Sequence, residues 1–256
     1  MSDPVRVDRD GAVAVITIDH PPANALSTGV ISALRAAVAE IGRPDSGVRA
    51  AILTGQGEKV FAAGADITEF GTLGPENVGA GRDLTLEMER CPVPLIAAVN
   101  GIAFGGGCEV AMACDVRVGS TTARFGQPEI NLGIIPGWGG TQRLPRLIGA
   151  TRAMSMLLTG NPLDARTAFD WGLLTAVVEP GELMDTARTM AATIAGKAPL
   201  AVQATKRAVY EGRDAASTEE ALAVERREFL GIFASEDARE GVTAFLAKRA
   251  PEWKGR

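Results

Sequence analysis

Glu109 in GGGCEVAMACD and Glu129 in RFGQPEINLGIIPGWGG stand 20 positions apart, in glycine-rich frames that otherwise give a carboxylate little reason to be there. Each follows a stretch that reads as buried: PLIAAVNGIAFGGG before the first, the short extended piece 123–125 before the second. Burial disfavours an ionised carboxylate and solvation restores it, so two carboxyl groups in unequal surroundings can divide acid and base duties. The chemistry of such a pair is proton transfer. Taken singly, each has an ordinary explanation, Glu109 as a first-turn acid on a helix dipole and Glu129 as a loop carboxylate paired with Arg124 or Arg143.

Two glycine-containing segments supply what a proton-transfer site also needs. Gly105-Gly106-Gly107 reads as a strand-to-helix junction, where the first helical amides are unpaired donors at the positive end of the dipole. In FAAGADI, residues 61–67, small residues end a loop before Asp66, which reads as the cap of a short helix. One amide from each segment would form an oxyanion hole for a carbonyl becoming enolate-like. Tight turns and close packing also explain glycine runs. Both glutamates lie near these donors in apolar sequence, where an unpaired charge is costly, and that joint placement favours chemistry.

The elements that must position these groups follow an α/β pattern. Extended segments are expected at 5–7, 13–18, 50–53, 95–99, 115–118, 123–125 and 175–178, and helices at 28–40, 76–89 and 106–113, from β-branched runs and 3.6-residue apolar spacing. From about Glu182 only amphipathic helices are expected, interrupted at Lys197-Ala198-Pro199, Gly212 and Gly231, with a last helix near 236–248. That order argues for an α/β core over 1–195 and a helical region over 196–256 packed on it. No fixed-period repeat is visible, and glycines at 71, 74, 79 and 81 suggest a mobile loop.

Composition narrows the classes. The 46% hydrophobic content supports a substantial core, and a net charge of −5 argues against a nucleic-acid partner, although Lys206-Arg207 is a local basic pair. Cys91, Cys108 and Cys114 lack metal-site spacing and sit in apolar sequence, as reduced core thiols do. No metal site is expected. The lone histidine, His20, precedes Pro21-Pro22 in a turn, and no G-x-S-x-G, G-x-G-x-x-G or P-loop frame is present. The opening MSDPVRVDRDG lacks a basic region followed by an apolar run, and no apolar stretch approaches the ~20 residues of a membrane span. A cytoplasmic location without membrane insertion is the expectation.

Four segments in order resemble the crotonase superfamily, and within it the enoyl-CoA hydratases: FAAGADI at 61–67, NGIAFGGGCEVAMACD at 100–115, FGQPEINLGIIPGWGGTQRLPRLIG at 125–149 and EDAREGVTAFLAKR at 236–249. The resemblance covers nearly the whole chain. It implies a ClpP/crotonase spiral core of repeated ββα units with a helical C-terminal trimerisation region, assembled as a homotrimer or a hexamer of two trimers. It implies an acyl-CoA thioester substrate, held by an oxyanion hole of the Ala65 and Gly106 amides, and no cofactor beyond the CoA that is part of the substrate. Glu109 matches the base toward a water adding at Cβ, and Glu129 the acid that protonates Cα. Gly137 matches the glycine near that water.

Trp138 is larger than the alanine of familiar hydratases. Lys59, Ala63, Asp66 and Ile67 match positions around CoA, while Thr68 replaces a phosphate-binding lysine. Phe229 and Lys248 match residues that complete a neighbouring subunit's CoA site; read alone, they are an apolar helix face and a solvated lysine. The full glutamate pair favours reversible syn hydration, in fatty acid or related acyl-CoA degradation. Two other readings stay open. One is a different enzyme of the superfamily, an isomerase or a hydratase for branched, aromatic or alicyclic acyl-CoA. The other is a CoA- or RNA-binding protein without catalysis.

Overall fold

The computed structural model describes residues 3–71, 74 and 79–256. The loop suggested by the glycines at 71–81 falls largely outside them, at 72, 73 and 75–78.

The chain opens with β1 (Val5–Asp10) and β2 (Val13–Ile18), paired antiparallel with Val5 opposite Ile18. Three passes follow, and each gives one long strand to a large sheet and one short strand to a small one. The pairs are β3 (Ala50–Gly55) with β4 (Val60–Ala62), β5 (Leu95–Val99) with β6 (Ile102–Phe104), and β7 (Val116–Ser120) with β8 (Arg124–Gly126). β9 (Leu163–Asp164) and β10 (Ala176–Val178) close the edges, giving the orders β1-β2-β3-β5-β7-β10 and β4-β6-β8-β9. From β2 onward the large sheet is parallel.

Helical pieces follow the short strands: a 3₁₀ turn at Ile67–Glu69 and α2 (Ala80–Arg90) after β4, α3 (Gly106–Ala113) after β6, and a 3₁₀ turn at Pro128–Leu132 after β8. α1 (Thr28–Ile41) precedes them, between β2 and β3. This is the crotonase-like spiral of ββα units. The long strands begin at 50, 95 and 116, so the repeat is structural and has no fixed sequence period.

β3 and β5 are buried at every position, as parallel strands covered on both faces must be. Their alternation sorts two cores. Ile52, Ile96 and Ala98 face α7 (Leu183–Ala195), which returns Leu183, Ala187 and Ala191 at one-turn spacing; Leu53, Leu95 and Ala97 face α1, α2 and α3. Cys91, Cys108 and Cys114 are free buried thiols, as expected. Burial pushes the Cys108 thiol up to about 12.

Several elements differ from the sequence expectation. The short strands β4, β6 and β9 were not anticipated, nor were α4 (Gly140–Ile148), α5 (Ala150–Thr159) and α6 (Ala165–Asp170). In the C-terminal region, α8 (Pro199–Arg213) is followed by α9 (Thr218–Phe233) and α10 (Glu236–Leu246), so Gly231 lies inside α9 instead of ending a helix. Gly81 is a buried residue of α2 rather than part of a loop. α8 docks on the core through the buried Lys206, whose Nζ meets Asp115 Oδ2 at 2.9 Å and the Met88 carbonyl at 3.1 Å. Among the described residues no helix is long and apolar enough to cross a membrane.

Candidate active site

Gly105 sets the geometry. Its φ of 51° is open to glycine and turns the end of β6 directly into α3. Every residue of α3 is buried, Glu109 included at 1% exposure, and Gly106 opens the helix with an amide that has no intrahelical partner.

The second donor segment lies against the first. Gly64, at φ 112°, sits so close that a Cβ there would be 3.2 Å from the Phe104 carbonyl and 3.9 Å from the Gly106 nitrogen. Leu26 bridges Ala65 in the parallel sense: Leu26 N–H donates to the Gly64 carbonyl, and Asp66 N–H donates to the Leu26 carbonyl. In that pattern the bridged residue's own amide points away from its partner strand, so the Ala65 N–H faces the other side. The Ala65 amide follows directly on Gly64, the residue that lies against the Gly106 nitrogen.

Around this pair the structure gathers both glutamates. Glu109 Oε1 accepts the Trp138 and Gly140 amides, each at 2.7 Å. Burial raises Glu109 to about 7, and nearby Glu129 adds to the rise, while the two amide bonds and Arg143 oppose it. Glu129 reaches back from its 3₁₀ turn, with Oε1 3.2 Å from the place a Gly105 Cβ would take. Its Oε2 is buried with no hydrogen-bond partner, and burial raises it too. The pairing of Glu129 with Arg124 or Arg143 does not occur: Arg143 is bonded to Glu89. Nor is Glu109 merely a first-turn acid, since its carboxyl holds a second loop.

Trp138 stands beside these groups. Its indole occupies space that a Cβ at either Gly106 or Gly81 would enter, at 2.3 Å from Cζ3 and 2.0 Å from Cε2. The half-buried ring is therefore clamped between α2 and α3, and Gly137 just before it is open. Sequence reasoning missed Gly81 as the seat of the ring; a tryptophan between glycines was the signal that small residues must lie opposite it. It also missed Gln127, fully buried, whose Nε2 donates to the Gly105 carbonyl at 3.0 Å and so holds the peptide that carries the Gly106 amide.

The positions matched to CoA contacts are scattered. Ala63, Asp66 and Ile67 share the Ala65 segment, with Ile67 59% exposed. Asp66 caps the 3₁₀ turn, accepting Thr68 N–H at 3.0 Å and Thr68 Oγ1 at 2.7 Å, so Thr68 is used in that cap. Lys59 lies at the opposite end of β4, in a hollow with Gly101, Thr122 and Arg124. Phe229 lines an apolar groove between α8 and α9, with its ring 5.5 Å from that of Phe233, and Lys248 is exposed after α10.

A family model described as enoyl-CoA hydratase/isomerase matches residues 8–256. The short-chain-enoyl-CoA hydratase of Clostridium acetobutylicum is 45% identical over 253 residues, which are 97% of this chain and 96% of that protein. The crotonyl-CoA hydratase of Syntrophomonas wolfei is 42% identical over 255 residues, 95% of each. The crystal structure of an enoyl-CoA hydratase from Bacillus anthracis superposes with a TM-score of 0.94 at 38% identity, covering 99% of this chain and 100% of that one. With the spiral fold and the site geometry above, these matches mean that the chain belongs to the enoyl-CoA hydratase/isomerase family.

Proposed function

We propose that the protein is an enoyl-CoA hydratase, adding water reversibly and syn across the double bond of a 2-trans-enoyl-CoA to give a 3-hydroxyacyl-CoA. The observation that carries this reading is the meeting of two carboxyl groups, Glu109 buried and Glu129 half-buried, beside the segments that carry the Ala65 and Gly106 amides. The Ala65 and Gly106 amides receive the thioester oxygen and stabilise the enolate as it forms. Glu109 takes a proton from a water whose oxygen bonds to Cβ. The electron pair of the double bond passes to the enolate, and Glu129 then donates its proton to Cα. The proton taken up by Glu109 must then pass back to Glu129 to restore the enzyme, so that water supplies the oxygen and, over the cycle, both hydrogens, and the step needs no metal or redox group.

The assignment of base and acid follows the hydrogen bonding. Two N–H donors on Glu109 Oε1 favour its carboxylate, whereas the buried, donor-free Oε2 of Glu129 suits a carboxylic acid. Burial opposes this order in the open site, because Glu109 is the deeper of the two. An acyl-CoA seated over the half-buried Glu129 would remove its water and so favour its protonated form further. The rate is expected to rise as pH increases through about 7, where Glu109 ionises.

One observation favours a narrower substrate. The Trp138 indole fills the space next to the reacting groups, which suits short acyl chains, or flat and ring-bearing ones that stack on it. Hydration of crotonyl-CoA, longer straight chains, and branched and aromatic enoyl-CoAs, followed by loss of the conjugated thioester absorbance, separates these readings. Binding of all of them without turnover would sink the hydratase assignment. Trp138→Ala is expected to shift the preference toward longer chains.

The exposed apolar side chains of α9 and α10, among them Phe229, Leu230, Phe233 and Phe245, support assembly into a trimer or a hexamer. In such an assembly Phe229 and Lys248 reach a neighbour's CoA, with Lys59, Ala63, Asp66 and Ile67 supplied by the subunit's own core. A cytoplasmic role in fatty acid or related acyl-CoA degradation accords with that substrate.

A further inference from the structure

The loop that holds Glu109 is itself held from behind. Trp138 and Gly140 give their amides to Glu109 Oε1, while the Trp138 carbonyl accepts Arg143 Nη1 at 2.6 Å and lies 2.9 Å from Thr85 Oγ1, whose one hydrogen is shared between this carbonyl and that of Arg82, also at 2.9 Å. Between them Gly139, at φ 110°, lies so close to the guanidinium that a Cβ there would be 2.1 Å from Nη1. The tripeptide 138–140 is thus pinched between Glu109 on one side and Arg143 on the other. Arg143 is fixed in turn: its Nε donates to Glu89 Oε1 at 2.8 Å, and Arg213 of α8 donates to the same carboxylate at 3.0 and 3.3 Å. Arg143, Glu89 and Thr85 are all buried.

We propose that Arg143 and Thr85 are positioning residues for hydration, holding the Trp138 carbonyl so that the amides of Trp138 and Gly140 stay on Glu109 Oε1. The proposal rests on Glu109 being the base. A buried ion pair is weak as a stabilising device, because desolvating both charges offsets their attraction. It is strong as a clamp, since the planar guanidinium offers donors in fixed directions, one set to Glu89 and one to the Trp138 carbonyl. The groups that face Glu109 are Glu129 from its 3₁₀ turn and Arg143 from α4. Those around Arg143 are Glu89 and Arg82 from α2, Arg146 from α4, Arg213 from α8 and Asp214 just after it.

The test measures hydration against pH for wild type, Arg143→Lys, Arg143→Met and Thr85→Val. Arg143→Met is expected to lower kcat at neutral pH on the order of 10- to 100-fold with KM little changed, since small misplacements of a reacting group carry such losses. Its acid limb should move to higher pH, with part of the loss regained there. Arg143→Lys, which keeps the charge, should lie between, and Thr85→Val should move the same way by less. A folded Arg143→Met with the wild-type profile, or one that loses rate equally at every pH, would overturn the proposal.

If Arg143→Met does not fold, an unchanged profile in Thr85→Val, which retains every ion pair, overturns it instead. The carboxyl C=O stretch of Glu109, assigned by its loss in Glu109→Gln, gives the same titration without turnover. A shift of that titration in a chain that hydrates nothing would spare this inference and refute the proposed function.

Discussion

Replacing Glu109 by Gln is expected to remove hydration by about 100- to 10,000-fold while leaving acyl-CoA binding intact, the range a positioned general base contributes. Gln keeps an oxygen to accept the Trp138 and Gly140 amides, so the 138–140 loop stays where it is. The same change should stabilise the fold. Glu109 rises from an ordinary 4.5 to about 7 in the native protein. A group raised on folding contributes its stability fully below the unfolded value and loses it as pH climbs to the folded one. Above pH 7 the wild type therefore bears about 3 kcal/mol that a neutral side chain avoids. Denaturant unfolding of both proteins should give a more stable Glu109→Gln at pH 8 and no difference near pH 4. Equal stability at pH 8, or turnover retained by the variant, refutes the role given to this residue.

Gly106→Ala should be nearly as damaging, for a different reason. The added Cβ would lie 2.3 Å from Trp138 Cζ3, so either the indole leaves or the first turn of α3 shifts and takes the oxyanion donor with it. A misdirected donor of this kind lowers kcat on the order of 100- to 1000-fold. The cause can be isolated. In Gly106→Ala combined with Trp138→Ala the clash is gone, and the double variant should hydrate faster than Gly106→Ala alone. A single variant with the wild-type rate would show that the Gly106 amide does not bear on the thioester.

Much of this was legible before any coordinates. Segments 13–18, 95–99 and 106–113 match β2, β5 and α3 residue for residue, because buried parallel strands and a glycine-started helix leave strong patterns. The three-residue strands β4, β6 and β8 leave almost none; only the extended character at 123–125 hinted at β8. α4 was hidden by Gly139-Gly140 at its start and Pro145 within it, and Gly231 misled because packing outweighs its weak helix propensity.

At the site, Glu109 and Glu129 stood out as carboxylates in apolar frames. The ion network behind them did not, since Arg143 and Arg213 lie 54 and 124 positions from Glu89 and each reads alone as an ordinary charge on a helix. Lys59 and Ile67 show the limit of resemblance: matching residues located the segment, while only the fold reveals that β4 runs between them.

The docking of α8 bears on how the protein is made. Two carboxylates of the core obtain cations from this late helix, Asp115 from the buried Lys206 and Glu89 from the more exposed Arg213. Burial alone would push Glu89 up, and Arg213 and Arg143 together hold it below its ordinary value. While the chain emerges from the ribosome, N-terminal part first, those acids have no counter-charge from α8 until residue 213 is free. A chain ending at 195 is therefore expected to stay unstable or bound to chaperones despite containing both glutamates and the Ala65 and Gly106 amides, and native assembly becomes a late, post-translational event.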